Sequence, residues 1–284
     1  MIWFIFILTS TFLYSIARII QRVLLKDEKS DSITVSILFQ LFLSLILFIF
    51  GYFFGHLSFD NFYQVLPNFI LLAVLYGLGN VFIFQALKRI DTSAFAILYS
   101  GRVFISVAAS SFFLHEGLSL KQYLGMFFII TSIVIVFNKK FSFHLNKGLL
   151  FTLLGALFFG LELTNDRFIL KTFNVYSFLF LSGLFPAILT SFIYPSSLKK
   201  IAALVQLNRL IKFMLICLIY ALGMIFYFFA LQIGTNSSQI AALDQLSTIV
   251  IVILGIFILK EKQRMFRKVI ASIISVIGTI MLII

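Results

Sequence analysis

One pattern occurs twice in this chain. ALKRIDTSAFAIL runs on to FFLHE across residues 86–116, and ALQIGTNSSQIAAL runs on to FILKE across residues 230–261. The two stretches begin 144 residues apart and end 145 apart, about half of the 284-residue length. Each reads as a hydrophobic helical hairpin whose second helix closes on a glutamate, Glu116 or Glu261. A chain built from two copies of one apolar unit must bury both or set them in lipid, and internal repetition of this kind is a hallmark of membrane carriers.

Hydropathy fixes the class. Hydrophobic residues make up 62% of the chain and charged residues only 11%, where a soluble domain carries about 25% charge. Apolar runs reach the roughly 20 residues that cross a bilayer core as helix, and the alternating pattern of a membrane barrel is absent. The net charge of +12 does not indicate nucleic acid, because the Lys and Arg residues sit in short connections, as the positive-inside bias requires. The single cysteine, Cys217, makes no internal disulfide and no thiolate metal site. His56, His115 and His144 are scattered in or beside loops without ligand spacing, so no metal or cofactor is expected. The first apolar run lacks a basic start and a cleavage signal, and reads as a retained first span.

The expected fold is an all-α polytopic membrane protein of ten spans, at roughly 2–22, 33–54, 68–87, 92–114, 122–138, 148–168, 175–194, 210–232, 236–259 and 267–284. These divide into two five-helix repeats, residues 1–140 and 141–284. Five is odd, so the second repeat threads the bilayer in the opposite sense. The result is an inverted pair with a site near the midplane. Connections after spans 1, 3, 5, 7 and 9 carry 18 Lys and Arg, among them Arg18 and Arg22, against 3 in the others. That places the basic side in the cytoplasm and both termini outside.

The Ala-Leu pairs ending spans 3 and 8 (Ala86, Leu87; Ala230, Leu231), the small polar residues opening spans 4 and 9, the closing glutamates and a glycine-containing last span resemble the EamA family of the drug/metabolite transporter superfamily. The resemblance covers the whole chain as two copies of one unit. It implies a carrier whose spans 1, 3, 4, 6, 8 and 9 line a substrate cavity, in a bacterial or archaeal plasma membrane. Family members often place a proline midway along spans 4 and 9, where this chain has YSGRVF and LDQLST. The last-span glycine is Gly125 in one copy and Gly278 at a different position in the other. Similar proteins usually have cytoplasmic termini, opposite to the charge count.

Three ionisable residues fall inside spans: Arg102, Glu162 and Asp244. A charge at the bilayer centre costs at least ~2.5–3.5 kcal/mol, so each must face a cavity or a partner. At about 1.5 Å per residue, all three lie about 13–16 Å deep. Tyr99, Arg102, Ser106 and Ser110 share one helical stripe, and Asp244, Ser247, Thr248 and Ser237 lean to one side of span 9. Tyr76 and Asn80 on span 3, Tyr220 on span 8, and Gln245 complete the expected substrate-binding set, and span 8 also offers Tyr227. Arg102 suits an anionic group through its planar donor fork, with Glu162 or Asp244 taking a proton or an amine. A permanent ion pair from Arg102 to one carboxylate is the alternative, and it leaves the other carboxylate protonated or facing a ligand.

Glu116 and Glu261 are expected to cap helices or pair at the interface. Asp166 and Arg167 are expected at the interface, and Gln40, Gln85, Gln239 and Gln245 either line the cavity or bridge helices. Gly51 and Gly55 form a GxxxG that suggests close packing. Spans 5 and 10 look apolar and suit packing or a homodimer contact.

The function these features point to is export of small polar metabolites such as amino acids. It would be driven by protons or exchange, since no nucleotide-binding loop is present. Efflux of cationic or aromatic drugs is the alternative, and a non-transporting membrane partner a further one. An intramembrane enzyme would need a cluster of His, Asp or Ser at a membrane face, and none is visible.

Overall fold

A computed structural model describes residues 2–27, 30–114, 119–137, 147–204, 207–233, 240 and 243–283. Glu116, His115, His144, Gln239, Ser237 and the side chains of Ser110 and Arg167 lie outside the described residues.

Among the described residues the chain is helical throughout, with no strand. The helices are α1 (Ile2–Leu25), α2 (Ser32–Phe54), α3 (Phe62–Arg89), α4 (Thr92–Tyr99), α5 (Gly101–Leu114), α6 (Leu120–Phe137), α7 (Lys147–Leu170), α8 (Val175–Ile193), the short α9 (Pro195–Leu198), α10 (Leu207–Ile233), α11 (Leu246–Phe257) and α12 (Met265–Ile283). Among the described residues, eight helical segments are long and apolar enough to cross a membrane, α4 and α5 counting as one across Thr92–Ala109. Two further apolar helices, Leu120–Val136 and Leu246–Phe257, are shorter. The second is short because the expected span 9 is interrupted at Gln245.

The expected span 4 is interrupted as well, and the two breaks correspond. The Val103 amide donates to Ser100 O at 3.1 Å, and the Thr248 amide donates to Gln245 O at 3.0 Å. Each is an i→i−3 bond leading into a helix, where α-helical spacing is i→i−4. Ser100 has φ −59° and ψ −22°, and Gln245 has φ −67° and ψ −15°, close to 3₁₀ values. A tight turn of this kind inside a span often marks a functional hinge. At Ser100 it is held from outside the helix: the hydroxyl donates to Ile97 O at 2.6 Å and meets Ser275 Oγ of α12 at 2.5 Å.

Packing partners exchange between the halves. α3 lies on α7 while α10 lies on α1, and α5 lies on α7 while α11 lies on α1. α2 packs on α8, and α6 on α12. Close approach is set by glycines. A Cβ on Gly125 would lie 2.6 Å from Gly278 O, and one on Gly278 would lie 2.8 Å from Gly125 O, so α6 and α12 touch backbone to backbone. This explains why each half keeps its glycine at a different position: the two face each other at a single crossing. α6 and α12 are therefore partners within one chain. Gly51 and Gly55 receive Leu57 and the Tyr176 ring at the start of α8. Cys217 is buried.

The connections gather at two ends. At one end Lys88 Nζ donates to Ser30 O at 2.6 Å, Lys200 pairs with Asp31 at 2.9 Å, Arg209 with Asp27 at 2.5 Å and Lys268 with Asp91 at 2.8 Å. Glu261 of the second half accepts from the Thr92 amide at 2.8 Å, the Ser93 amide at 2.9 Å and the Ser93 hydroxyl at 2.5 Å. It thus caps the first turn of α4 in the first half, the capping expected of it but on a different helix. At the other end the Ser58 amide donates to Ser177 Oγ at 3.0 Å, and Gln122 Nε2 to Leu282 O at 3.3 Å. Two residues expected among the basic connections belong to α1 itself. Arg22 is buried and donates to Leu87 O, and Arg18 faces the interior of the bundle.

Candidate functional site

A cavity of roughly 170 Å³ opens in the middle of the bundle, lined from α1, α2, α3, α4, α5, α7, α8, α10, α11 and the Asp244–Gln245 turn. Arg102, Glu162, Asp244, Tyr99, Tyr76, Asn80, Tyr220 and Gln245 all line it. Ser247, Thr248 and Tyr227 join them. Ser106 is buried but does not reach the cavity.

The breaks place the charges. Asp244 precedes the turn at Gln245 and Arg102 follows the turn at Ser100, so the two meet from opposite halves. Arg102 Nη2 lies 3.3 Å from Asp244 Oδ2, with the side chains 22% and 15% exposed. Arg102 also donates to the Tyr99 hydroxyl at 3.3 Å, with its guanidinium carbon 4.7 Å from that ring centroid. Backbone packing holds the arginine in place: Gly160 of α7 faces Arg102 O, and a Cβ there would lie 2.7 Å from that oxygen.

Arg18 was not among the expected site residues, yet it reaches the cavity wall. Its guanidinium carbon lies 5.3 Å from the Phe95 ring and 5.9 Å from the Tyr99 ring, and it donates to Gln21 Oε1 at 2.8 Å. No carboxylate pairs with it among the described residues. The signal that could have found it is spacing, since Tyr14 and Arg18 stand one helical turn apart on one face. Tyr14 in turn packs on Tyr220 at 4.8 Å between centroids.

The third charged group lies on α7. Glu162 is fully buried, and neither carboxylate oxygen has a hydrogen-bond partner. Asp166, one turn further on, also lines the cavity, which corrects its expected interfacial position. Its Oδ2 accepts from the Tyr76 hydroxyl at 3.2 Å, and its Oδ1 is buried without a partner. The turn spacing carries Asp166 inward with Glu162, while Asn165 leaves toward α3 and accepts from Asn68 Nδ2 at 2.8 Å. Gln40 and Gln245 line the cavity, and Gln40 Oε1 and Gln245 Nε2 are buried without partners. Gln85 is not in its wall. Among the described residues no group of three or more His, Cys, Asp and Glu is placed to hold a metal ion.

A helical bundle with spanning-length apolar helices in two exchanged halves, enclosing a cavity lined by two arginines and three carboxylates, is the architecture of a membrane carrier. The EamA-like transporter family matches this chain twice, over residues 1–138 and again over residues 146–284. The chain belongs to that family. It is an integral membrane protein with a transporter role, in a family of transporters and not of enzymes. A search of curated proteins returns no match.

Proposed function

We propose that this protein is a secondary transporter that exports small polar metabolites, zwitterionic amino acids first among them, by alternating access around the central cavity. One observation carries the reading: the charges in the cavity are unevenly paired. Arg102 and Asp244 neutralise each other at 3.3 Å. Among the described residues, Arg18 on α1 has no carboxylate, and Glu162 and Asp166 on α7 have no cation, within ion-pair distance. An amino acid supplies both missing partners. Its carboxylate suits the planar fork of Arg18, and its ammonium suits the acids of α7.

The motion follows from ten spans arranged as two oppositely threaded five-helix repeats, residues 1–140 and 141–284. Support comes from the matched breaks at Ser100 and Gln245 and from the exchange of partners between α3 on α7 and α10 on α1. The halves would rock about these turns while the Arg102–Asp244 pair stays near the axis. The basic end faces the cytoplasm by the positive-inside bias, in a bacterial or archaeal plasma membrane. The lipid-facing surfaces of α6 and α12 are where a homodimer would form.

The aromatic walls favour a second reading, efflux of cationic aromatic compounds. Tyr14, Tyr76, Tyr99, Tyr220 and Tyr227 all face the cavity, and aromatic faces attract cations. A thermal-shift screen of the purified protein separates the two, because a ligand of the folded state raises the melting temperature. Stabilisation by L-amino acids, lost in R18Q, supports the first reading. Stabilisation by quaternary aromatic amines alone supports the second. No stabilisation by either class points to a non-transporting partner protein.

A further inference from the structure

We propose that the seam between α1, α10 and α11 is a binding site for an anionic phospholipid of the surrounding bilayer, with one acyl chain in an apolar groove and the phosphate on Lys212. The groove holds about 290 Å³ and shares no lining residue with the central cavity. On α1 it is lined by Ile16, Ile19, Ile20 and Val23, the i, i+3, i+4, i+7 spacing that puts side chains on one helical face. Leu254 of α11 and Ile258 just past its end form the second wall, and Leu215 of α10 the third. Leu215 is 43% and Ile258 58% exposed, so the groove opens outward to lipid. From Ile16 to Val23 is about 10 Å of helix, or two thirds of the roughly 15 Å depth of one hydrocarbon leaflet.

The occupant follows from the walls and from the charge at their end. Helices pack on one another in lipid through small residues that let backbones approach. Apart from its lysine this groove offers only Ile, Val and Leu, which suits a flexible hydrocarbon chain and not a second helix. Lys212 closes it on α10, about 7 Å from the start of that helix at Leu207 on the basic end. A lysine at that depth turns its ammonium back toward the headgroups. Among the described residues the carboxylates of this end are taken. Asp27 is held by Arg209, Asp31 by Lys200 and Asp91 by Lys268, and Glu261 accepts from the Thr92 and Ser93 amides. Lys212 has no ion pair among the described residues. A phosphate supplies the missing anion, and basic pockets between spanning helices bind anionic headgroups. α1 belongs to the first half and α10 and α11 to the second, so the lipid touches both halves and stabilises their packing.

Thermal-shift titrations of the purified full-length protein in detergent test the site. Dioleoylphosphatidylglycerol is expected to raise the melting temperature at a concentration about fivefold lower than dioleoylphosphatidylcholine does, the equivalent of the roughly 1 kcal/mol that one basic residue contributes at an anionic surface. K212Q should abolish that preference. Lys212 is exposed, so the variant keeps its fold. K199Q, at an exposed lysine of the same end outside the groove, should leave the preference intact. Phosphatidylglycerol with a photoreactive group on its acyl chain should label α1, α10 and α11 at the groove, a readout that needs no variant. Equal response to the two lipids, or none, overturns the proposal. Equal loss in K212Q and K199Q does so too, since it shows a diffuse attraction to the basic end. A shift produced by glycerol 3-phosphate alone assigns Lys212 to a soluble phosphate and overturns the lipid. Label spread evenly over the outer faces of all the helices overturns the groove.

Discussion

Arg102 and Asp244 stand 142 residues apart in the sequence and 3.3 Å apart in space. Each belongs to the break in its own half, so the pair joins the two repeats where both helices change pitch. Removing one partner leaves an uncompensated buried charge, at a cost of about 3 kcal/mol. R102A and D244N are each expected to lower the melting temperature in detergent, and R102M/D244L to recover most of the loss. Equal, additive losses in the singles and the double would show that the two charges do not depend on each other.

Glu261 reaches across to the first turn of α4, where it satisfies the amides of Thr92 and Ser93. The first-turn amides of a helix have no partner of their own, and an acidic group there also meets the positive end of the helix. E261A should cost about 1–2 kcal/mol, read as a lower melting temperature. E261Q should retain part of the cap and cost less. Full stability in E261A would mean that the contact contributes nothing.

The crossing of α6 and α12 leaves no space for a methyl group, since a Cβ on either glycine would lie under 3.0 Å from the backbone oxygen of the other. G125A and G278A should each destabilise by about 1–3 kcal/mol, because backbone cannot yield as a flexible side chain can. At Gly101 the nearest atom to an added Cβ is Ile133 Cδ1 at 3.5 Å, so G101A should melt at or above the wild-type temperature. Melting curves of the three variants decide this, and the contrast fails if all three behave alike.

Asp31, at the N-terminus of α2 on the basic end, supplies a pH dependence. Burial would raise its carboxyl, but the Thr34 amide and hydroxyl and Lys200 outweigh burial and hold it below its ordinary value. A depressed folded-state value means that its contribution is present above the unfolded value of about 3.9. It is lost as pH falls through the lower folded one. The wild type should therefore lose more stability than D31N between neutral pH and about pH 3. The effect is small because Lys200 is 55% exposed and exposed pairs contribute little. Parallel melting curves in the two proteins would contradict the assignment.

The division into two units was readable because the Ala-Leu and Glu landmarks recur at one offset, and Arg102, Glu162 and Asp244 stood out because lipid tolerates few charges. Arg18 and Asp166 were not legible in the same way. Asp166 lies one turn from the end of α7 and Arg18 follows the apolar run of α1 on its basic side, where a charge reads as interfacial, and only the facing of α1 and α7 turns them inward. The break at Ser100 carries no proline and little warning beyond Gly101. Its match at Gln245 becomes visible only when the hydrogen bonds are compared. The cap of Glu261 on α4 joins residues 168 and 169 positions apart, so no local pattern could have disclosed it.

The central claim is that unpaired charges on α1 and α7 receive a zwitterion while Arg102 and Asp244 hold the halves together. Exchange of a radiolabelled polar amino acid such as L-threonine in vesicles containing the full-length protein, with an inward proton gradient, tests it most directly. The account predicts gradient-driven efflux in the wild type and at least a tenfold loss in R18Q and in D166N, a factor equal to about 1.4 kcal/mol of binding. Normal exchange in both variants would contradict it.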